Sequence, residues 1–224
     1  MARLSRPEVI GATLEQRVVP IFNTQDPSVG RAILDACATA GLRVVEYTNR
    51  GDRALAVFRA LIEHVRESRP ELILGAGTVL DAPTAAIFMA EGAEFVVAPT
   101  LSPEVAELCN RHRIAYLPGA FTATEVSDAE ALGCDLIKLF PQAAVDGPAW
   151  LRSILGPLPW ARLIPTGCPS DPDTLGRWFA AGAAAVGIGP DILTPERLAA
   201  GDWGAVRDAL ATALREAKVA PGPS

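Results

Sequence analysis

Eight short apolar runs recur along the chain, and they leave few folds open. They cover residues 18–22, 44–48, 72–76, 95–99, 115–119, 135–140, 163–166 and 185–189. Each is predominantly apolar rather than alternating, the pattern of a parallel strand covered on both faces. Successive runs start roughly 20 to 30 residues apart, the length of one strand-then-helix unit. Between them, apolar side chains fall at helical spacing: Ala32, Ile33, Ala36 and Cys37 share a face, as do Leu55, Phe58, Ala60, Leu61, Ile62 and Val65. Further helical patterns cover 85–90, 103–109, 123–132, 150–155, 175–181 and 206–214. Asp26-Pro27, Asp81-Ala82-Pro83, Ser102-Pro103 and Asp171-Pro172 read as helix starts. Gly41, Gly92, Gly133 and Gly182 read as helix stops. Eight such units predict one closed (β/α)8 TIM barrel spanning 1–224, with 1–14 as an N-terminal extension and 218–224 as a frayed tail. A doubly wound open sheet is the alternative. It would more often carry a GxGxxG turn after its first strand, where this chain has Asn23-Thr24-Gln25-Asp26.

Charge and cysteine usage narrow the function classes. The net charge is −6, and no basic stripe or Arg–aromatic cluster supports nucleic-acid binding. Cys37, Cys109, Cys134 and Cys168 form no CxxC pair and follow no secretory segment, so they read as free thiols in a reducing cytoplasm. No stretch approaches 18 uninterrupted apolar residues, and no membrane span is expected.

In a barrel of this kind the chemistry sits at the C-terminal ends of the strands. Few ionisable residues fall there, and Lys138 is the sharpest. The chain has 20 basic residues and only two, Lys138 and Lys218, are lysines. Arginine serves wherever a positive charge suffices, yet Leu136-Ile137-Lys138-Leu139-Phe140 keeps a lysine. Lysine can lose its proton and form an imine; arginine does neither. An amine inside a barrel is partly desolvated, which favours the neutral form that attacks a carbonyl, as does a neighbouring cation such as Arg50. A structural lysine at the rim, or one paired with Glu46, is the competing reading. Glu46 lies in the apolar run Val44-Val45-Glu46-Tyr47-Thr48, where a carboxylate is costly unless paired or functional. It reads as a general acid/base or as half of a buried ion pair. Arg50 suits a carboxylate clamp or an ordinary loop, and Thr78 follows glycines that let backbone approach a ligand.

A phosphate site would draw on the loops after the last two strands, Thr166-Gly167-Cys168-Pro169-Ser170 and Gly187-Ile188-Gly189-Pro190-Asp191. The glycines suit an anion nest. Pro169 and Pro190 lack a donor N–H, and Asp191 brings negative charge. His64 and His112 read as surface histidines, and no cluster has metal-ligand spacing.

Taken together, Glu46-Tyr47-Thr48-Asn49-Arg50, Gly75-Ala76-Gly77-Thr78-Val79, Pro118-Gly119, Ile137-Lys138-Leu139-Phe140-Pro141 and Pro165-Thr166-Gly167 resemble the 2-keto-3-deoxy-6-phosphogluconate (KDPG) / 4-hydroxy-2-oxoglutarate (KHG) aldolases. The likeness spans about residues 15 to 215. It implies a homotrimer of (β/α)8 barrels with class I aldolase chemistry, no metal and no cofactor, a carbon–carbon lyase that releases pyruvate plus an aldehyde, glyceraldehyde 3-phosphate or glyoxylate-like. Carried over by position, Lys138 forms the imine and Glu46 moves protons. Arg50 and Thr78 hold the pyruvate carboxylate, Thr166 meets the acceptor, and Phe140 and Pro141 shape the wall. Gly167, Cys168, Gly187 and Gly189 fall in the phosphate or acceptor loops. The chain departs from the family pattern at Cys168, Pro169 and Pro190, where relatives commonly have glycine, a β-branched residue and serine. That weakens the case for a phosphorylated substrate and leaves the pyruvate half intact. Two other readings remain: a phosphosugar isomerase or synthase barrel without a covalent adduct, and a 2-oxo-acid binding protein without catalysis.

Overall fold

A computed structural model of the chain describes residues 2–220. Among them, nine parallel strands form one sheet: β1 (Val18–Phe22), β2 (Val44–Thr48), β3 (Ile73–Gly77), β4 (Phe95–Val97), β5 (Ala115–Leu117), β6 (Gly119–Ala120), β7 (Ile137–Leu139), β8 (Leu163–Cys168) and β9 (Val186–Ile188). The helices are α1 (Arg6–Gln16), α2 (Pro27–Thr39), α3 (Ala54–Ser68), α4 (Ala82–Glu91), α5 (Pro103–His112), α6 (Ala123–Ala131), α7 (Gly147–Leu155), α8 (Pro172–Ala180), α9 (Pro195–Ala200) and α10 (Trp203–Val219).

The hydrogen-bonded order is β5-β4-β3-β2-β1-β9-β8-β7-β6. Its two ends, β5 and β6, are halves of one expected strand broken at Pro118. The first half pairs with β4, Phe95 opposite Ala115, and the second with β7, Gly119 opposite Lys138. A proline has no N–H to give a ladder, but the Pro118 carbonyl still accepts from the Lys138 N–H at 2.9 Å. This junction closes the barrel and excludes the open doubly wound sheet.

Two cores follow from the period-two alternation of the strands. Val18, Val45, Leu72, Leu74, Val96, Leu163 and Val186 pack outward against the helix ring. Val19, Val44, Ile73, Phe95, Val97, Leu117, Leu136 and Ile164 pack with one another inside. Val9 and Ala12 of α1 belong to the inner set, so the stretch expected to be an extension is a plug across the N-terminal end of the barrel. Burying Val9 there contributes about 2 kcal/mol. Gln16 locks the plug, donating to the carbonyls of Val18 and Val44 and accepting from the N–H groups of Arg43 and Val44. Glu94 anchors the segment before it. Its buried carboxylate accepts from the backbone N–H and Nε of Arg3 and from the Leu4 N–H.

The expected starts at Asp26, Asp81, Ser102 and Asp171 are N-caps, each side chain accepting from a first-turn N–H. The expected stops have φ between 77° at Gly133 and 112° at Gly92, the left-handed region that favours glycine. Other boundaries differ. The third strand begins at Ile73, because the Leu72 N–H is taken by the Arg69 carbonyl in the preceding turn. Lys218 and Val219 are the last turn of α10 rather than a tail; 221–224 lie outside the described residues. α9 had no apolar stripe to announce it, and none of its residues is buried. His64 is not a surface histidine. It is half-buried beside α2, with Nε2 3.0 Å from Asp35 Oδ1, an oxygen that also accepts from Arg69 Nε. His112 is exposed, as expected. Among the described residues no helix is long and apolar enough to cross a membrane, and no His/Cys/Asp/Glu group is placed to hold a metal. All four cysteines are buried and free.

Candidate active site

β2 and β7 lie on opposite sides of the barrel, with β3, β4 and the split β5/β6 strand between them. Inward side chains from opposite walls meet on the axis. Glu46 points in from the middle of β2, while Tyr47 points out, packing edge-on against Phe22 and giving its hydroxyl to the Thr24 carbonyl at 3.0 Å. Lys138 points in from the middle of β7. Its Nζ stops 3.9 Å from Glu46 Oε1, with the two side chains 7% and 4% exposed. That is a charge contact but too long for a hydrogen bond. Glu46 Oε1 is buried with no hydrogen-bond partner. Glu94 shows the difference: there a buried carboxylate has three donors and holds structure together. An unsatisfied buried acceptor costs about 1–3 kcal/mol, so Glu46 sits where folding alone would not place it.

Burial pushes the Glu46 carboxyl above the ordinary carboxylate range, and the charges of Lys138 and then Arg50 pull it part of the way back. Space for this carboxylate depends on Gly77. A Cβ at 77 would overlap Glu46 Oε1, Cδ and Cγ. In sequence this glycine reads as one that lets backbone approach a ligand, and its role in making room for a facing side chain has no local signal.

Above the amine, the barrel mouth opens into a cavity of about 390 Å³, bordered by Lys138, Arg50, Phe140, Thr166, Gly167 and Gly189 together with residues the sequence did not single out. A second cavity, of about 330 Å³, lies far from this chemistry, between the N-terminal segment, α4 and α5. Lys138 and Thr166 border both the mouth and a small void beneath it, where Glu46 and Gly187 lie. Phe140 places its ring 5.3 Å from Lys138 Nζ. The peptide between Phe140 and Pro141 is cis; Pro141 is exposed and does not line the mouth. Thr78 does not line it either. It meets the site through Arg50, whose Nε donates to Thr78 Oγ1 at 3.3 Å, and it holds a left-handed φ of 57°. Cys168 is turned away into the outer core. Burial, then the Asp191 charge, push its thiol up to about 12, and it offers neither donor nor nucleophile to the mouth.

The sequence reading missed the residues that hold the Arg50 loop. Asn23 Nδ2 donates to the carbonyls of Thr48 and Arg50, at 2.7 and 3.0 Å, and Gln25 Nε2 donates to the Arg50 carbonyl at 2.6 Å. Their place just after β1 is the available signal, but neutral amides in a strand-end loop carry nothing else that marks them. Leu193 and Leu198, which border the far side of the mouth, lie in a segment with no readable pattern.

Comparison with known proteins gives a consistent picture. The family model for KDPG and KHG aldolase matches residues 9–209. The chain is 37% identical over 153 residues to the 2-dehydro-3-deoxy-phosphogluconate aldolase of Pseudomonas aeruginosa, covering 68% of each chain. It is 30% identical over 203 residues to the KHG/KDPG aldolase of Escherichia coli K12, covering 90% of this chain and 92% of that one. Among solved structures it is similar to the 4-hydroxy-2-oxoglutarate/2-dehydro-3-deoxyphosphogluconate aldolase from TTHB1, with a TM-score of 0.80, 30% identity, and coverage of 93% of this chain and 98% of that one.

Proposed function

We propose that this chain, which belongs to the KDPG and KHG aldolase family and is a class I aldolase releasing pyruvate plus an aldehyde from a 2-oxo-3-deoxy acid, forms its imine on Lys138. The observation that carries the assignment is the buried Lys138 amine at the floor of the mouth, 3.9 Å from a buried Glu46 oxygen with no other partner. The gap suits a substrate oxygen bridging the two groups. Lys138 Nζ adds to the keto carbon of the 2-oxo acid. Glu46 passes a proton to the resulting hydroxyl, which leaves as water and gives the protonated imine. That cation is an electron sink: when the C3–C4 bond breaks, its electrons pass into a neutral enamine rather than a carbanion. Glu46 takes the proton of the C4 hydroxyl as the aldehyde forms. The enamine is then protonated at C3, and water releases pyruvate and the free amine. A carboxyl raised by burial, as Glu46 is, exchanges protons closer to neutral pH than an exposed one. Treating the protein with pyruvate and borohydride tests the assignment. The reduced adduct is expected on Lys138 and not on Lys218, two positions that peptide mass spectrometry separates.

Arg50 holds the pyruvate carboxylate in this proposal, with Thr78 fixing its Nε and Asn23 and Gln25 fixing its backbone. A hydrogen bond to a charged group contributes about 1.5–3 kcal/mol. Arg50→Gln is therefore expected to raise KM roughly ten- to hundredfold with kcat changed much less. An unaltered KM in steady-state kinetics would remove Arg50 from this role.

The homotrimer belongs to the same proposal. Leu80, in the loop just before α4, and Ile87, within it, are 56% and 48% exposed in the single chain, large apolar surfaces that a subunit contact would cover. Sedimentation equilibrium is expected to give three times the chain mass, and a monomer at micromolar concentration would refute this.

A further inference from the structure

The half of the mouth that receives the aldehyde has a chemistry of its own. Its side-chain wall is mostly Phe140, Pro190, Leu193 and Leu198, which border the same cavity as Lys138 together with Thr166 and the backbone of Gly167 and Gly189. Several of the donors that an anion could use near that end are occupied. The Ser170 N–H and hydroxyl both bond Asp191 Oδ2, at 2.7 and 2.6 Å. Pro169 and Pro190 have no N–H. The N-terminus of α8 is already occupied by the Asp171 carboxylate, which accepts from the Thr174 N–H, and Asp173 follows in its first turn. Arg197 Nη1 is used on the carbonyls of Asp191 and Ile192. A phosphate entering this end would meet mostly apolar carbon, and the cationic side chains that border the mouth, Lys138 and Arg50, serve the pyruvate half.

We propose that the acceptor aldehyde of this enzyme is uncharged and carries an apolar chain, which lies against Phe140, Pro190, Leu193 and Leu198. The proposal rests on the Lys138 imine described above. In the condensing direction, C3 of the pyruvate enamine attacks the aldehyde carbon, and the carbonyl oxygen takes a proton to become the C4 hydroxyl. Water then returns to the imine carbon, restores the lysine and releases a 4-hydroxy-2-oxo acid. The water lost in imine formation is the one regained, and no oxidant or cofactor enters.

The experiment measures kcat/KM for condensation of pyruvate with propanal, butanal, pentanal, glyceraldehyde 3-phosphate and glyoxylate, alongside borohydride trapping of pyruvate alone. Among the neutral aldehydes, kcat/KM is expected to rise about fourfold (about 0.8 kcal/mol) per methylene, and pentanal is expected to exceed both anions by about tenfold or more. Leu198→Asn, a change on the partly buried face of the short α9, is expected to flatten the gradient. A higher kcat/KM on either anion would overturn the acceptor assignment, as would a gradient unaltered by Leu198→Asn. If pyruvate is trapped on Lys138 but no neutral aldehyde is used, the acceptor assignment fails and the imine stands. If trapping itself fails, both fall.

Discussion

Lys138→Arg is expected to lower kcat/KM by about 10⁴-fold or more and to abolish borohydride-trappable pyruvate. Arginine keeps the positive charge beside Glu46, so any purely electrostatic role for Lys138 would survive the change. It cannot present a neutral amine, so covalent chemistry would not. Removing the nucleophile of a covalent enzyme costs on the order of 10⁶-fold when nothing replaces it, and the remaining binding groups retain some activity. Lys138 is buried, and the larger guanidinium risks strain. Lys138→Met therefore serves as a second variant of similar length without charge. Circular dichroism and thermal unfolding would establish that both fold. Activity within tenfold of the parent in either folded variant, or an adduct recovered on Lys218, would end the imine assignment. Loss of activity with persistent reversible pyruvate binding would complete it.

Glu46→Gln has the second large effect, and it separates activity from stability. Proton transfer by a positioned side chain contributes about 10²–10⁴-fold, and a loss of that order in kcat is expected. Stability is expected to change the other way with pH. Burial raises the Glu46 carboxyl above its unfolded value of 4.5. The folded chain therefore favours the protonated form, and the unfolded chain gives up its proton first. This group supports the fold fully below the unfolded value. Its support is lost as pH rises from there through the raised folded value. Glutamine has no proton to lose. The difference in Tm, variant minus parent, is expected to grow as pH is raised from the acid range to neutrality. A difference that shrinks over that range would mean that Glu46 is stabilised as a carboxylate and serves as a structural ion pair with Lys138. Glu94 shows the geometry of a structural ion pair in this fold, a buried carboxylate met by three N–H donors.

How far the site was legible can be followed residue by residue. Lys138 stood out because composition isolated it: in a chain that otherwise uses arginine, a lysine within an apolar strand has few structural reasons to be there. Glu46 stood out for the same reason, a carboxylate inside a buried strand. Asn23, Gln25 and Gly77 did not, because neutral polar residues and glycines at strand ends are ordinary in every barrel. What Gly77 does depends on which side chain lies across from it. Leu193 and Leu198 border the mouth from a segment whose one short helix buries none of its residues, so no periodicity marked it. The α1 plug was hidden by its composition: it buries only Val9, Ala12, Thr13 and Gln16, too few apolar residues to read as a core helix.

Local pattern alone set the strands, the capped helices and the face each strand residue presents, because alternation and capping act over a few residues and need no partner. It also singled out the amine. Tertiary structure decided what that amine faces. Glu46 and Lys138 come from strands far apart in the chain and meet only because the sheet closes at Pro118, which fixes the width of the barrel and so the distance between opposite walls. The same closure sets the apolar wall of the mouth beside the imine, and no short stretch of sequence encodes a distance across a barrel.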